Sequence, residues 1–276
     1  MVEDAVTPRG PYRLRLMSRS GSWRGAVADG TPATAWQRPD GPVVVRAETE
    51  EGVLQARFML ALDDDTGEFH RRFRQDPLLG PTVRAFVGYR PLRLATVTHA
   101  TLRAFCGQRI DAKRAAAIER SILRQLEVTV ATRASLSRLS PAELRRSGLA
   151  TSRASTLVRL VRSLDLERLR DHDTGVVLQR LGRERGIGPW SVGVIALEGL
   201  GRYDHGLVGD LGLVKLMGSL QGRAVEAAET AELLAPYEEW QGLAGQLFML
   251  GWSRGLIPGA DADLGRRTRL RTKRAA

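Results

Sequence analysis

The stretch RERGIGPWSVGVIALEGLG, Arg183 to Gly201, sets two glycines around an isoleucine, adds proline and tryptophan, and then turns apolar as a helix would. Gly186 and Gly188 supply backbone conformations that residues with a Cβ resist. Pro189 suits the first turn of a helix, where its missing N–H costs little. Such a turn leaves unpaired N–H groups at a positive helix end with no side chain in front of them, a place suited to a phosphate. Its carbonyls can also hold a monovalent cation bridging to the same phosphate. The same residues equally suit an ordinary pair of helices whose glycines only permit close packing. Asp210, in LVGDLGL, follows. It opens LGLVKLMG and can cap a helix there, and a helix N-terminus favours an ionised carboxylate.

The totals limit what can surround this motif. The chain has 276 residues, enough for two modest domains, and 43% of them are apolar, enough for a packed core. No apolar run reaches the roughly 18 residues of a membrane span. The start, MVEDAVTPRGPYRL, has acids where a secretory leader needs bases. The reading is a soluble cytoplasmic monomer with no membrane association. Cys106 is the only cysteine. That excludes a disulfide framework, a four-cysteine zinc site and an iron–sulfur cluster on four thiolates. His70, His99, His172 and His205 are scattered, so no metal site is expected from side chains and no cofactor is required. Lys plus Arg is 42 against 31 acids, a formal charge of +11, with Lys113, Lys215 and Lys273 the only lysines. That balance suits a polyanion, most often nucleic acid, although a biased base composition in the gene produces it too. The segment GRRTRLRTKRAA, 265–276, holds six of the bases and no acid.

The elements that must position the motif divide the chain. Residues 1–10 read as a flexible start, 11–68 as a small antiparallel β domain, 69–257 as a helical core and 258–276 as a disordered basic tail. In the β part, YRLRL alternates Tyr12, Leu14 and Leu16 with arginines, and VLQARFML alternates Leu54, Ala56, Phe58 and Leu60 with Gln55, Arg57 and Met59. Both predict half-buried strands joined by turn-rich loops. Further on, Ala115, Ile118, Ile122 and Leu126 fall on one helical face, with Arg114, Glu119 and Arg120 elsewhere. SPAELRRSGL predicts a helix with Ser140 as N-cap, Pro141 first and Glu143 third. Leu157, Leu160, Val161 and Leu164 predict another, and Thr174 is placed to cap the helix before the glycines.

GIGPWSVGVIALEGLG followed by VGDLGL resembles the helix-hairpin-helix, Gly/Pro-rich loop and aspartate of the HhH-GPD superfamily of DNA glycosylases, above all its bacterial 3-methyladenine DNA glycosylase II branch. DPLLGPTVRAFVGYRPLRL resembles the segment before that branch's first core helices, and FCGQRIDAKRAAAIERSIL its Gln-containing helix start. The resemblance runs over roughly 11–255 and is strongest over 183–213. It implies an α+β fold, with an N-terminal antiparallel β domain followed by an all-helical core carrying a helix-hairpin-helix motif. It also implies a base-excision-repair enzyme that hydrolyses the N-glycosidic bond of damaged, alkylated purine bases flipped out of double-stranded DNA.

Carried over residue by residue, the resemblance makes Asp210 the catalytic carboxylate, stabilising positive charge on an oxocarbenium-like sugar. Gly186, Gly188 and Trp190 become the phosphate-binding hairpin. Gln108 and Arg109 stand where the family inserts a wedge into the duplex. The close relatives have an apolar residue at the place of Arg109, which is otherwise a surface arginine. Trp190 occupies the place of the lysine in members that also cut the backbone, so the implied enzyme is monofunctional. Trp190, Val194, Leu211 and Met249 fall in the base pocket, less aromatic than in those relatives, which puts the lesion in doubt. Hypoxanthine, uracil or an oxidised purine are the alternatives, as is a non-catalytic DNA-binding module.

Overall fold

The computed structural model describes residues 1–18, 20–39 and 41–261. An N-terminal four-stranded antiparallel sheet precedes a helical core. The strands are β1 Val2–Val6, β2 Ser22–Ala26, β3 Pro32–Gln37 and β4 Val43–Ala47, in the order β1-β4-β3-β2. The chain start is therefore not flexible: β1 pairs with β4 from Val2 opposite Ala47 to Val6 opposite Val43. Both alternating segments that predicted strands are helical instead. Leu14–Leu16 forms one 3₁₀ turn, and Glu50–Met59 forms helix α1. Thr49 caps α1, its hydroxyl accepting the Gly52 N–H at 3.0 Å, and Glu50 and Glu51 sit in the first turn, where negative charge is favoured. Val53, Ala56 and Met59 then face inward at helical spacing and share one apolar cluster with Ala33, Ala35, Val43, Val45 and Ala47 of the sheet.

The helical part follows as α2 Gly67–Phe73, α3 Gly80–Ala85, α4 Val97–Gly107, α5 Ala112–Leu126, α6 Arg133–Leu136 and α7 Pro141–Arg146. It continues as α8 Thr151–Ser163, α9 Thr174–Gly182, α10 Pro189–Val194, α11 Leu211–Gln221, α12 Thr230–Leu234 and α13 Gln241–Arg254. A π-helical turn, Ile195–Leu200, prolongs α10. The predicted start of α7 is present: Ser140 and Glu143 satisfy each other's backbone N–H groups. α5 buries Ile118, Ile122 and Leu126 as its periodicity requires, but it also buries Glu119. Asp173, not Thr174, takes the N-cap place of α9, and the Thr174 hydroxyl accepts from Arg202 instead. Among the described residues no helix is long and apolar enough to cross a membrane. The basic segment 265–276 lies outside the described residues.

Arg90 fastens the two parts together. Its guanidinium has no exposed surface and donates to the carbonyls of Arg9, Pro11, Ala61 and Leu62 while lying 4.9 Å over the Tyr12 ring. His70, buried beside it, accepts the Gly88 N–H at 3.5 Å. Burial, helped by the Arg90 charge, pushes the imidazole down to about 4, so it is neutral when folded at pH 7. The unfolded chain therefore takes up this proton first. Stability from neutral His70 is whole above pH 6.5, shrinks as pH falls towards 4 and is lost below that. We expect wild type to lose on the order of 2 kcal/mol more than His70→Gln between pH 7.5 and 4.5. Urea melts of both proteins at the two pH values check this; parallel losses would remove His70 from the account.

Candidate functional site

The glycine turn and Asp210 meet in space. α9 ends at Gly182, the chain turns through Gly186 at φ +94°, and α10 begins at Pro189 with Gly188 as its N-cap. The N–H groups of Trp190 and Ser191 open α10 with no carbonyl one turn back to receive them. A Cβ built on Gly188 would meet nothing within 4 Å, and its φ of −95° suits any residue. Neither strain nor packing within the chain demands glycine there, so what the missing side chain preserves is access to the turn from outside.

Asp210 caps α11. Its Oδ1 accepts the Gly212 N–H at 2.8 Å, and its Oδ2 accepts the Trp190 indole Nε1–H at 2.8 Å. Each oxygen thus has one donor, which fixes the plane of the carboxylate and leaves each oxygen further acceptor capacity. The capping role is present, and it coexists with a link to the hairpin that an isolated cap would not have. Trp190 is half-buried. Its ring lies on Gly107, the last residue of α4, where an added Cβ would sit 2.6 Å from the ring. Its side-chain donor is spent on Asp210, so only its backbone belongs to the hairpin's open face.

The other predicted residues distribute as follows. Met249 lies against Gly212 in the first turn of α11, where a Cβ would come within 2.2 Å of its methyl carbon. Val194 is buried at the end of α10, while Leu211 is 47% exposed beside Asp210. Gln108 and Arg109 occupy the α4–α5 connection. Arg109 is exposed, with a left-handed φ of +53°. The Gln108 amide donates to the Gly186 carbonyl and to the Ser191 hydroxyl, both at 2.9 Å. Cys106 is buried and its thiol is pushed up to about 12 by that burial, which leaves it inert.

Local spacing does not reveal the charged cluster behind the site. Arg103 of α4 bridges Glu119 of α5 and Glu198 of the π turn, each at 3.0 Å, and His99 meets Glu119 at 3.1 Å. For Glu119 burial acts upward, but the bonds and charges of His99 and Arg103 prevail and hold it down to about 2. For Glu198 burial prevails over Arg103 and raises it. The π turn places Glu198 within this cluster; a charged pair on two helices and a third on an irregular turn leave no periodic trace. Among the described residues no three His, Cys, Asp or Glu side chains converge as a metal site would require.

No family model matches the chain, and no curated protein matches its sequence. Solved structures do match its fold. The 3-methyladenine DNA glycosylase from Archaeoglobus fulgidus aligns with a TM-score of 0.74 at 18% identity, over 92% of this chain and 98% of that one. The 8-oxoguanine glycosylase/lyase of Clostridium acetobutylicum, solved with double-stranded DNA, gives 0.71 at 20% identity over 89% and 88%. The Schizosaccharomyces pombe 3-methyladenine DNA glycosylase Mag1, solved with abasic DNA, gives 0.58 at 17% over 70% and 99%. The chain has the fold of these DNA glycosylases.

Proposed function

We propose that this protein is a monofunctional DNA glycosylase that hydrolyses the N-glycosidic bond of alkylated purines flipped out of duplex DNA. The observation that carries the reading is the Asp210 carboxylate, fixed through both oxygens, next to a glycine turn whose outer face is open. The turn's N–H groups take a phosphate of the damaged strand. The turn's carbonyls are the groups that would hold a monovalent cation; those of Gly186 and Glu184 already accept from Gln108 and Ile187, and each oxygen has a second lone pair. A bound cation would add positive charge beside that phosphate. The displaced nucleotide leaves a gap, for which Arg109 at the loop tip is the filler. As the bond to the base lengthens, positive charge grows on the sugar, and Asp210 stabilises it and orients the attacking water. Trp190 offers no amine, so the product is an abasic site in an intact strand.

The test is a panel of duplexes carrying single alkylated, deaminated or oxidised bases, scored for free base and abasic sites. Release of alkylpurines supports the full reading. Release of only another lesion keeps the enzyme and changes its substrate, as Val194, Leu211 and Met249 in place of aromatic rings would favour. No release from any duplex ends the reading.

Two further results are expected. Gly188→Leu should fold normally, because its Cβ meets nothing, yet bind every duplex more weakly. The slope of log affinity against log salt should become shallower by about 0.9, one phosphate's worth; an unchanged slope would separate the turn from phosphate. Borohydride should trap no covalent enzyme–DNA adduct. Lys215, exposed on α11, is the amine nearest in sequence to Asp210, and an adduct lost in Lys215→Ala would overturn the monofunctional assignment.

A further inference from the structure

The α4–α5 connection carries two side chains with opposite fates. Arg109 is exposed, and its backbone is left-handed although it is not glycine. Gln108, one residue earlier, is turned inward. Its single amide nitrogen donates to the Gly186 carbonyl before the hairpin tip and to the Ser191 hydroxyl after it, residues 78 and 83 positions away in sequence. Ser191 is 2% exposed, so its hydroxyl is a fixed partner. On the other side of the same connection, Gly107 is pressed by the Trp190 ring. Asp111 then restarts helix α5 by accepting the Arg114 N–H at 3.0 Å. The loop is therefore held at both ends and strapped to the hairpin by Gln108; Arg109 and Asp111 are its exposed residues, and Asp111 is committed to capping α5.

A side chain that fills a gap in a duplex must reach several ångströms from the protein surface. Gln108 could do so only by giving up both bonds and leaving the buried Ser191 hydroxyl without its partner. Left-handed backbone at a long, Cβ-bearing residue persists only where its surroundings over-determine it. At Arg109 the bonds of Gln108 on one side and the Asp111 cap on the other hold the chain that flanks it.

We propose that Gln108 is not a wedge but a positioning residue: its amide locks the loop to the hairpin, so that phosphate capture by the turn and gap filling by Arg109 occur as one event. The proposal rests on the DNA reading above for the ligand, a duplex with a displaced or missing base, and it does not rest on catalysis.

The experiment compares affinity for a duplex carrying a tetrahydrofuran abasic analogue with affinity for the same duplex unmodified. That ratio measures gap filling and needs no bond cleavage. Four proteins are compared: wild type, Gln108→Ala, Arg109→Ala and the double variant, each with its melting temperature. The expected result is that each single variant lowers the ratio by a similar factor, roughly tenfold, and that the double variant is no worse than Arg109→Ala, because a strap with nothing to present has no further effect. Ser191→Ala, which removes one of the two bonds, should fall between wild type and Gln108→Ala. A Gln108→Ala ratio equal to wild type overturns the proposal. So does a double variant showing the product of the two single effects, which would make Gln108 an independent wedge. An Arg109→Ala ratio equal to wild type overturns it as well, since there would be nothing to position. If the wild type excises no lesion yet shows the strapped pattern, the glycosylase reading fails while the strap stands.

Discussion

Asp210→Asn should bind damaged duplex as well as wild type or better, and excise its base at least ~100-fold more slowly. Asparagine caps helices as well as aspartate does, so the Gly212 N–H keeps an acceptor and α11 keeps its start. What changes is the charge. The asparagine amide has one acceptor oxygen for two donors, so if the oxygen serves Gly212, the Trp190 indole N–H faces an NH₂ group. The helix cap survives, one hydrogen bond to Trp190 is lost, and the negative charge that the proposed mechanism sets beside the sugar is removed. Ground-state binding should not suffer, because a carboxylate near phosphates opposes it. Single-turnover excision and duplex affinity, measured side by side, check this. Equal rates would reduce Asp210 to a helix cap. Cationic alkylated bases leave readily and should retain more residual excision than neutral lesions.

Arg103→Met should destabilise the fold by about 2 kcal/mol at pH 7.5, less than the loss of a fully buried partner because the guanidinium is partly open to water. The side chain is partly exposed, but Glu119 and Glu198, the carboxylates it joins, are largely hidden from water. Removing the guanidinium leaves Glu119 and Glu198 in a poorly solvated space with His99, 3.1 Å from Glu119, as the remaining basic partner. The sign of the pH response separates this from simple loss of packing. In wild type, Glu119 is held down to about 2, so its contribution is whole above pH 4.5 and is lost as pH falls through 2. In the variant the two carboxylates share a proton whose affinity is raised, so folding takes up protons as pH falls below 7. The deficit relative to wild type should therefore shrink between pH 7.5 and 5.5. Denaturant melts of both proteins across that interval test it, and a deficit independent of pH would assign the loss to packing alone.

The hairpin and the capped helices were legible because their signals are local. Gly186, in the left-handed region, and Pro189, at the first helical position, dictate a turn and a helix start within four residues, whereas Gly188 has a backbone any residue could adopt; Ser140, Pro141 and Glu143 do the same for α7. The β part misled for the same reason. In VLQARFML the apolar residues fit a period of two as well as 3.6 over so short a window, and Thr49 followed by two glutamates was the cap that should have decided it. The true strands are short, and β3 turns alanines inward, leaving little hydrophobic alternation to read. The bonds that assemble the site span long separations: 20 residues from Trp190 to Asp210, and 78 from Gln108 to Gly186. No periodicity encodes such pairs. Glu119 shows the limit from the other side, since a charge flanking an apolar face was buried because His99 and Arg103 were waiting for it.

The seat of Trp190 on Gly107 has an evolutionary reading. Exchanging this tryptophan for a lysine would put an amine near Asp210, but it would also strip the ring from the end of α4 and take the indole donor from Asp210. The vacated space would invite a larger residue at 107, and once that residue was in place, tryptophan could no longer return without a 2.6 Å clash. Positions 107 and 190 should therefore change together along lineages, with each pairing blocking reversal to the other. Under the proposed function, a hydrolase and a lyase built on this scaffold would then be separated by a two-step path, and its first step in either order passes through a poorly packed or overcrowded protein.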